Sequence, residues 1–429
     1  MNAARLDRLQ NLAIFLLSLS AAVLFMSLPL FGPLSNSSLF ELGRERLREE
    51  TVAVEPRLTR TSSLAYPVRI AYTGGFACLG TDALTTLSDE FERAGIHLGE
   101  ALGSANHPRR VGEKVFLDAL RDEGLYIDFA VPVPVNLLCG LLGVDPPETE
   151  LAGVRRLLLS PGRDGYTMLY VQDGAGGLFR FSTAASGAAL LDFLTLQSGS
   201  SAEFAFMRQD CAGLSPFTLI LNDPFPRMAL QVTNAVSGSE DEFLRLAEFN
   251  AHAENRFTES TGTVIVREGS STLYIRPDGT VEYQGTEAAP DSIYYVPAAT
   301  PGEATLEEAE AAAQRLASDL LQSLSGDASY YLSDAETEDG KHRISFDLMV
   351  NGTPVCFSDG AHAGEVTVEA QRITAFSFRA RRYELTGQET MLLPFAQASA
   401  IAKAWEGSEP LIVYIDSGGE LVLPSWIAD

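Results

Sequence analysis

Arg343-Ile344-Ser345-Phe346-Asp347-Leu348-Met349-Val350-Asn351-Gly352-Thr353-Pro354-Val355 carries two signals at once. Ile344, Phe346, Leu348 and Val350 alternate with Arg343, Ser345, Asp347 and Met349, the period-two pattern of a strand with one buried face. Asn351-Gly352 then supplies two residues that tolerate positive φ, which marks a tight hairpin. This part of the chain is therefore read as antiparallel sheet.

Working outward, strands are expected at 364–369 and 372–382. Thr305 and Glu308 have capping-box spacing and open an Ala/Leu/Glu-rich helix to about Leu324. A helix at about 391–405 precedes a last hairpin, Leu411–Ile415 with Glu420–Leu423, turned at Asp416-Ser417-Gly418-Gly419. Residues 285–302, rich in Pro, Gly and acids, read as a boundary. Before it, Thr263–Arg267, Thr272–Arg276 and Thr280–Tyr283 form a meander. Ser239 with Glu242 repeats the capping-box spacing and predicts a helix through about Asn255.

Further upstream, Tyr66–Tyr72 and Leu125–Ala130 read as strands, with shorter strands near 154–159, 166–172, 178–183 and 217–221. Leu84, Leu87, Phe91, Ala94, Leu98 and Leu102 recur at helical spacing, which predicts a helix capped by Thr81. Further helices are expected at about 109–122 and 187–196. A helix followed by antiparallel hairpins recurs after 240, 303 and 391, a loose repeat without a fixed period.

The N-terminus is different. No charge occurs between Arg8 and Glu41, and 12–34 is almost wholly apolar or small. As a helix these residues span ~34 Å, enough for a bilayer core. The alternative is a cleaved signal peptide, but the run exceeds the usual core of one and no clean small-x-small site follows it. The Lys/Arg bias across the segment is weak. A short polar stub before a long domain is most simply an N-in, single-pass anchor. Ser18 and Ala22, with Ala21 beside them, make a small-residue face on which a partner helix can seat.

Composition narrows the function. The chain of 429 residues has 57 acidic and 31 basic side chains, a net charge of −26. Nucleic-acid binding rests on Lys and Arg neutralising phosphates, so that class is excluded. Cys78, Cys139, Cys211 and Cys356 form no CxxC pair and sit in apolar runs, as buried small hydrophobes do; one disulfide, Cys78 with Cys139, is the alternative. His97, His107, His252, His342 and His362 show no helical metal spacing, and no GxSxG or Ser-x-x-Lys motif occurs. Catalytic, cofactor and metal residues are thus assigned to none. Arg379, Arg381 and Arg382 cluster in this acidic chain. One reading is an anchor for an acidic partner; the other, which carries more weight, is simple pairing with neighbouring acids such as Glu369 and Glu384.

Leu125-Tyr126-Ile127-Asp128-Phe129 with Val131-Pro132-Val133-Pro134, Asp278-Gly279-Thr280-Val281-Glu282-Tyr283, Phe346–Val355, Phe378-Arg379-Ala380-Arg381 and Leu423-Pro424-Ser425-Trp426-Ile427 together resemble the YycH/YycI proteins, and the length is closer to YycH. The similar segments span about 125–429; 63–124 matches less clearly. The resemblance implies a non-enzymatic, membrane-anchored accessory regulator of the WalK (VicK) sensor histidine kinase of Gram-positive bacteria. That is a two-component system governing cell-wall homeostasis. The implied partners are that kinase and a related YycI-type protein, with the bulk outside the membrane. The expected fold is α+β: a transmembrane helix, then two or three extracytoplasmic domains of antiparallel sheet packed with helices. Its parts are a cytoplasmic stub 1–11, the span 12–34, a linker 35–62, a first domain 63–235, a middle unit 236–300 and a C-terminal domain 301–429. An extracytoplasmic ligand-binding module, or an envelope enzyme with an unrecognised site, are the alternatives.

Overall fold

The computed structural model describes residues 67–428 apart from 75–76, 83–88, 149–150, 152, 223–225, 253–254, 286–293 and 403–406. The membrane segment expected at 12–34 lies outside the described residues, with Ser18, Ala21 and Ala22. Among the described residues no helix is long and apolar enough to cross a membrane.

The first lobe is built on nine strands. They are β1 (Pro67–Gly74), β2 (Ala77–Asp82), β3 (Asn106–Arg110), β4 (Gly124–Pro134), β5 (Gly153–Pro161), β6 (Tyr166–Asp173), β7 (Leu178–Ser186), β8 (Ser200–Phe204) and β9 (Leu219–Leu221). Their order is β3-β7-β6-β5-β4-β1-β2-β8-β9. Helices α1 (Asp89–Gly103), α2 (Glu113–Arg121), α3 (Val135–Leu142) and α4 (Gly187–Thr195) cover the sheet. Phe91, Ala94, Leu98 and Leu102 bring α1 onto one face, where they meet Ile70, Ile127 and Leu157. Phe116 and Leu120 bring α2 onto the other, against Tyr126, Leu158 and Phe204. The strands are apolar on both faces because both are covered.

The second lobe begins with β10 (Met228–Asn234), α5 (Glu240–Leu246), β11 (Arg256–Thr258), β12 (Val264–Glu268), β13 (Ser271–Ile275) and β14 (Thr280–Gln284). Next come α6 (Leu306–Leu321), β15 (Ala328–Glu338), β16 (Lys341–Val350), β17 (Thr353–Phe357), β18 (Gly364–Glu369), β19 (Arg372–Arg379) and β20 (Arg381–Glu389). The chain closes with α7 (Phe395–Ala402), β21 (Pro410–Asp416), β22 (Leu421–Val422) and β23 (Pro424–Ala428). Ten strands run in the order β11-β12-β13-β14-β19-β18-β16-β17-β21-β23, with β15 also on β16; β20-β10-β22 form a separate small sheet. The strand pairs are antiparallel except β17 with β21. The α+β class is as expected, with seven α-helices among the described residues.

Local signals set several elements directly. Thr305 and Glu308 form the capping box of α6 reciprocally. Val350 faces Thr353 across Asn351 and Gly352, which have φ 46° and 70°. Other expectations are corrected. Thr81 does not cap a helix; it lies in β2 opposite Ile70, and α1 is described only from Asp89. The 109–122 helix begins at Glu113, because 106–110 pairs with β7 instead. The helix after Ser239 ends at Leu246, since Glu248 turns left-handed at φ 57°, and the Ser239 side chain makes no cap. The strand expected over 372–382 breaks at Ala380, whose N–H donates to Gly279 and whose carbonyl accepts from Ala235, so the chain changes sheets. Glu420–Leu423 does not pair with β21; Pro424–Ala428 does, and Leu421–Val422 pairs with β10.

Gly326 ties the start of β15 to β20. It sits at φ 70°, and a Cβ there would meet the Tyr383 carbonyl oxygen at 2.3 Å. Gly326→Ala is expected to cost about 2 kcal/mol or more, from left-handed strain plus a backbone collision. The urea midpoint of unfolding checks this.

Candidate functional site

Three charged residues interrupt three apolar strands of the first lobe. Register places Arg69 of β1 opposite Asp128 of β4, and Asp128 opposite Arg156 of β5. Directly opposed residues share a face, so the three form one row on the α2 side of the sheet. All three are buried. The fourth member comes from the second lobe: Glu409, just before β21, puts one carboxylate oxygen on the Arg69 guanidinium and the other on Arg156. Asp128 completes the set, 3.6 Å from Arg69 Nη1 and 3.2 Å from Arg156 Nε. Arg69 Nη2 also donates to the Pro410 carbonyl at 3.0 Å, and Arg156 Nη1 to Gln172 Oε1 at 2.7 Å. The Arg156 guanidinium lies 5.3 Å from the centre of the Phe217 ring.

The charges balance, two against two, but the carboxylates are not equivalent. Burial works against the Glu409 anion, yet Arg69 and Arg156 outweigh it and hold its carboxyl below the usual glutamate range. Burial dominates at Asp128, pushing it up to about 6 against the pull of Arg156. Burial alone would lower Arg69, and Glu409 with Asp128 reverses that. The cluster is a lock between lobes.

Beside it opens a groove of about 380 Å³, lined by Val68, Leu221, Pro394, Phe395, Ile412 and Trp426 with Arg69, Asp82 and Arg227. Arg227, from just before β10, donates to Asp82 Oδ2 and Thr353 Oγ1, each at 2.7 Å, and so pins the second lobe to β2. Next to the groove Val68, Tyr331 and Met349 pack together, with Val131 against them.

The arginines singled out from sequence fall into two places. Arg379 ends β19, donates to Asp359 at 2.5 Å and stacks over Phe357 at 4.3 Å. Arg381 and Arg382 begin β20; Arg381 sits 2.7 Å from the buried Asp416, and Arg382 donates to Glu384 at 2.8 Å. Each carries its own acid. A different set does not. Arg109 on the edge strand β3 lies opposite Arg180 on β7, with Arg110 next along. Among the described residues none of these three has an acid within ion-pair distance.

His342 and His362 do not converge. His342 Nε2 lies 2.8 Å from the Ala304 carbonyl, while the His362 ring sits 3.1 Å from Asp347. Among the described residues no group of His, Cys, Asp and Glu is placed to hold a metal ion. The four cysteines are free thiols. Cys139 belongs to the core on the α1 face and Cys78 packs on the opposite face, so the alternative disulfide does not form.

No family model and no curated sequence matches the chain. Among solved structures, one similar fold is the crystal structure of YycH from Bacillus subtilis. The TM-score is 0.55 at 11% identity, over 88% of this chain and 96% of that one. The chain has a YycH-like fold. The YycH likeness covers both lobes, as the share of each chain requires.

Sequence reasoning missed the lock. Each of Arg69, Asp128 and Arg156 is visible as a lone charge or one of a pair in an apolar strand. Glu409 is not, because it lies 340 residues from Arg69.

Removing one partner of a buried ion pair strands the other, a loss of about 3–5 kcal/mol. Glu409→Gln is expected to lose that much in urea unfolding, while Arg208→Gln, at an exposed pair, changes little. Glu409 contributes above the ordinary glutamate range, and the contribution disappears as pH falls through its depressed folded value. Asp128 acts with the opposite sign, costing stability as pH rises through about 6. Arg109→Glu is expected to raise stability by about 0.5 kcal/mol, because it turns a like-charge cross-strand pair into an attractive one. Thermal unfolding of the two proteins checks that gain.

Proposed function

We propose that the chain is a membrane-anchored, extracytoplasmic accessory regulator that acts by contact on a sensor histidine kinase of the WalK type. The observation that carries this reading is the YycH-like fold running through nearly the whole body. The uncharged apolar stretch 12–34 supports it, being long enough for a bilayer core. In this reading the N-terminal stub is cytoplasmic and the two lobes are outside. Ser18, Ala21 and Ala22 seat the span against the kinase's membrane helices, and a YycI-type protein is a further partner.

A bitopic regulator works by binding two states of its target unequally. A coupling of about 1–3 kcal/mol changes output five-fold or more. Arg379, Arg381 and Arg382 are already matched to acids, so an acidic partner gains less from them than charge alone suggests. The edge at Arg109, Arg110 and Arg180 offers unmatched cations in a chain of net charge −26. That edge is the better anchor for an acidic partner surface, although Pro108 removes one N–H and blunts strand addition there.

The test uses the full chain and a WalK-type kinase reconstituted in one bilayer, with kinase autophosphorylation as the readout. The chain is expected to change the rate about five-fold or more, and Ser18→Leu with Ala22→Leu to reduce that effect. A rate indifferent to the wild-type chain contradicts the reading.

A further inference from the structure

Two stretches of the second lobe carry no charge, in a chain whose net charge is −26. One runs from Thr390 to Ala402, through the connection after β20 and into α7. The other runs from Leu421 to Ala428, through β22 and β23. The fold brings them together. The Phe395 ring at the start of α7 lies 6.1 Å from the Trp426 ring of β23, edge to face. The Trp426 Nε1–H donates to the Leu393 carbonyl at 2.9 Å.

The large apolar side chains of these stretches turn outward. Met391 is fully exposed, and Leu393 and Leu423 are each 52% exposed. Phe395, Trp426 and Ile427 are half-buried. The core does not account for them. Among its described residues α7 buries the small Ala398, Ser399 and Ala402, and Val422 is the member of the 421–428 stretch that fills the interior. Single exposed apolar residues are ordinary, whereas a group of them marks a contact surface.

The patch also has a place relative to the rest of the chain. Leu393, Phe395 and Trp426 line the groove beside the ionic lock, and so do Val68 and Arg69 of β1. β1 begins at Pro67. The 66 residues before it, with the apolar stretch 12–34, therefore join the body at this groove. A second copy is a poor occupant. Glu389 and Glu420 flank the two stretches, so self-association sets acids against acids and adds another −26. A lipid interface asks for what is present: protruding apolar side chains, an indole, and no charge to desolvate.

We propose that Met391, Leu393 and Leu423, with Trp426 behind them, seat the body on the outer leaflet of the membrane. The proposal rests on the reading of 12–34 as a bilayer span. The fold limits the depth. Among the described residues β23 ends its sheet and has a free edge, and unpaired N–H and C=O groups are not tolerated in hydrocarbon. Contact therefore stays at the headgroup boundary, with apolar tips reaching in by about 5–10 Å. Leu219 and Leu221 of β9 also line the groove, and β3 lies at the opposite end of the first-lobe sheet order. The seating thus leaves the arginines of β3 clear of the bilayer for a partner.

The experiment uses the full chain in phosphatidylcholine vesicles. Trp405 and Trp426 are its two tryptophans, so Trp405→Phe leaves Trp426 as the reporter. The lipids carry bromine either near the headgroup end of the acyl chains or near the methyl end. Trp426 emission is expected to be quenched by the first and much less by the second. Met391→Asp with Leu423→Asp should abolish the quenching while the chain still floats with the vesicles in high salt. Both side chains are exposed, so the thermal midpoint is expected to hold. Dansylalanine at position 391 of the otherwise native chain is a second reporter, whose emission should shift to the blue on the vesicles. A chain that floats with the vesicles while either reporter stays silent overturns the proposal and leaves the patch to a protein partner. Quenching that survives the double substitution overturns it as well. A chain that does not float contradicts the bilayer span itself, and the seating falls with it.

Discussion

Two guanidinium groups and two carboxylates buried in one row impose a condition on everything around them. A charge taken out of water without a partner costs several kcal/mol, and neutralising Arg by losing its proton is not available. Arg69 and Arg156 lie on a sheet face closed by α2 and Phe217, with Asp128 between them as, among the described residues, their one ion-pair partner from the first lobe. One carboxylate cannot satisfy two guanidinium groups. Glu409 supplies the second, so the first lobe is electrostatically complete only when the second is docked. Burial of one guanidinium thus makes the position of a residue 340 places away a matter of folding. The neighbouring contacts follow the same line. Arg227 reaches Asp82, the Ser215 N–H donates to Ser408 and Gly407 to Gly213, and Ala402 of α7 packs beside Leu214 and Ile220.

The junction has two unlike openings. The groove beside the lock is largely apolar, with its charged groups engaged in the lock or in the Arg227 contacts. The cleft at the end of β4 is lined by acids among the described residues and is crossed by the Asn136–Glu307 hydrogen bond, with Leu137 packed against the second-lobe core beside it.

Local structure was legible where one residue's chemistry decides it. The Thr305–Glu308 capping box, the Asn351-Gly352 hairpin and the alternation through Ile344–Val350 are properties of short windows, and the meander over 264–284 follows the same rule. Legibility failed where pairing is long-range. Met228–Asn234 reads as an unremarkable mixed stretch, and becomes a strand because β20 and β22 flank it. The break at Ala380 is invisible in Phe378-Arg379-Ala380-Arg381, because it depends on hydrogen bonds to Gly279 and Ala235. The clustered arginines were visible as positive charge, but the acids that neutralise them were only partly in reach of sequence: Glu384 is two residues from Arg382, while Asp359 comes from the turn after β17 and Asp416 from the end of β21. The similarity to YycH at 11% identity has the same basis. Patterns of buried alternation persist when almost no individual side chain does.

The central claim is that the ionic row makes the two lobes one cooperative body. Native-state hydrogen exchange across a urea series tests this most directly, following amides of β4 in the first lobe and β16 in the second. The account predicts that the slowest amides of both strands report the same opening free energy and the same dependence on urea. Slowest amides in β4 that open at a distinctly lower free energy than those in β16, with a smaller urea dependence, would mean that the first lobe unfolds alone and would contradict it.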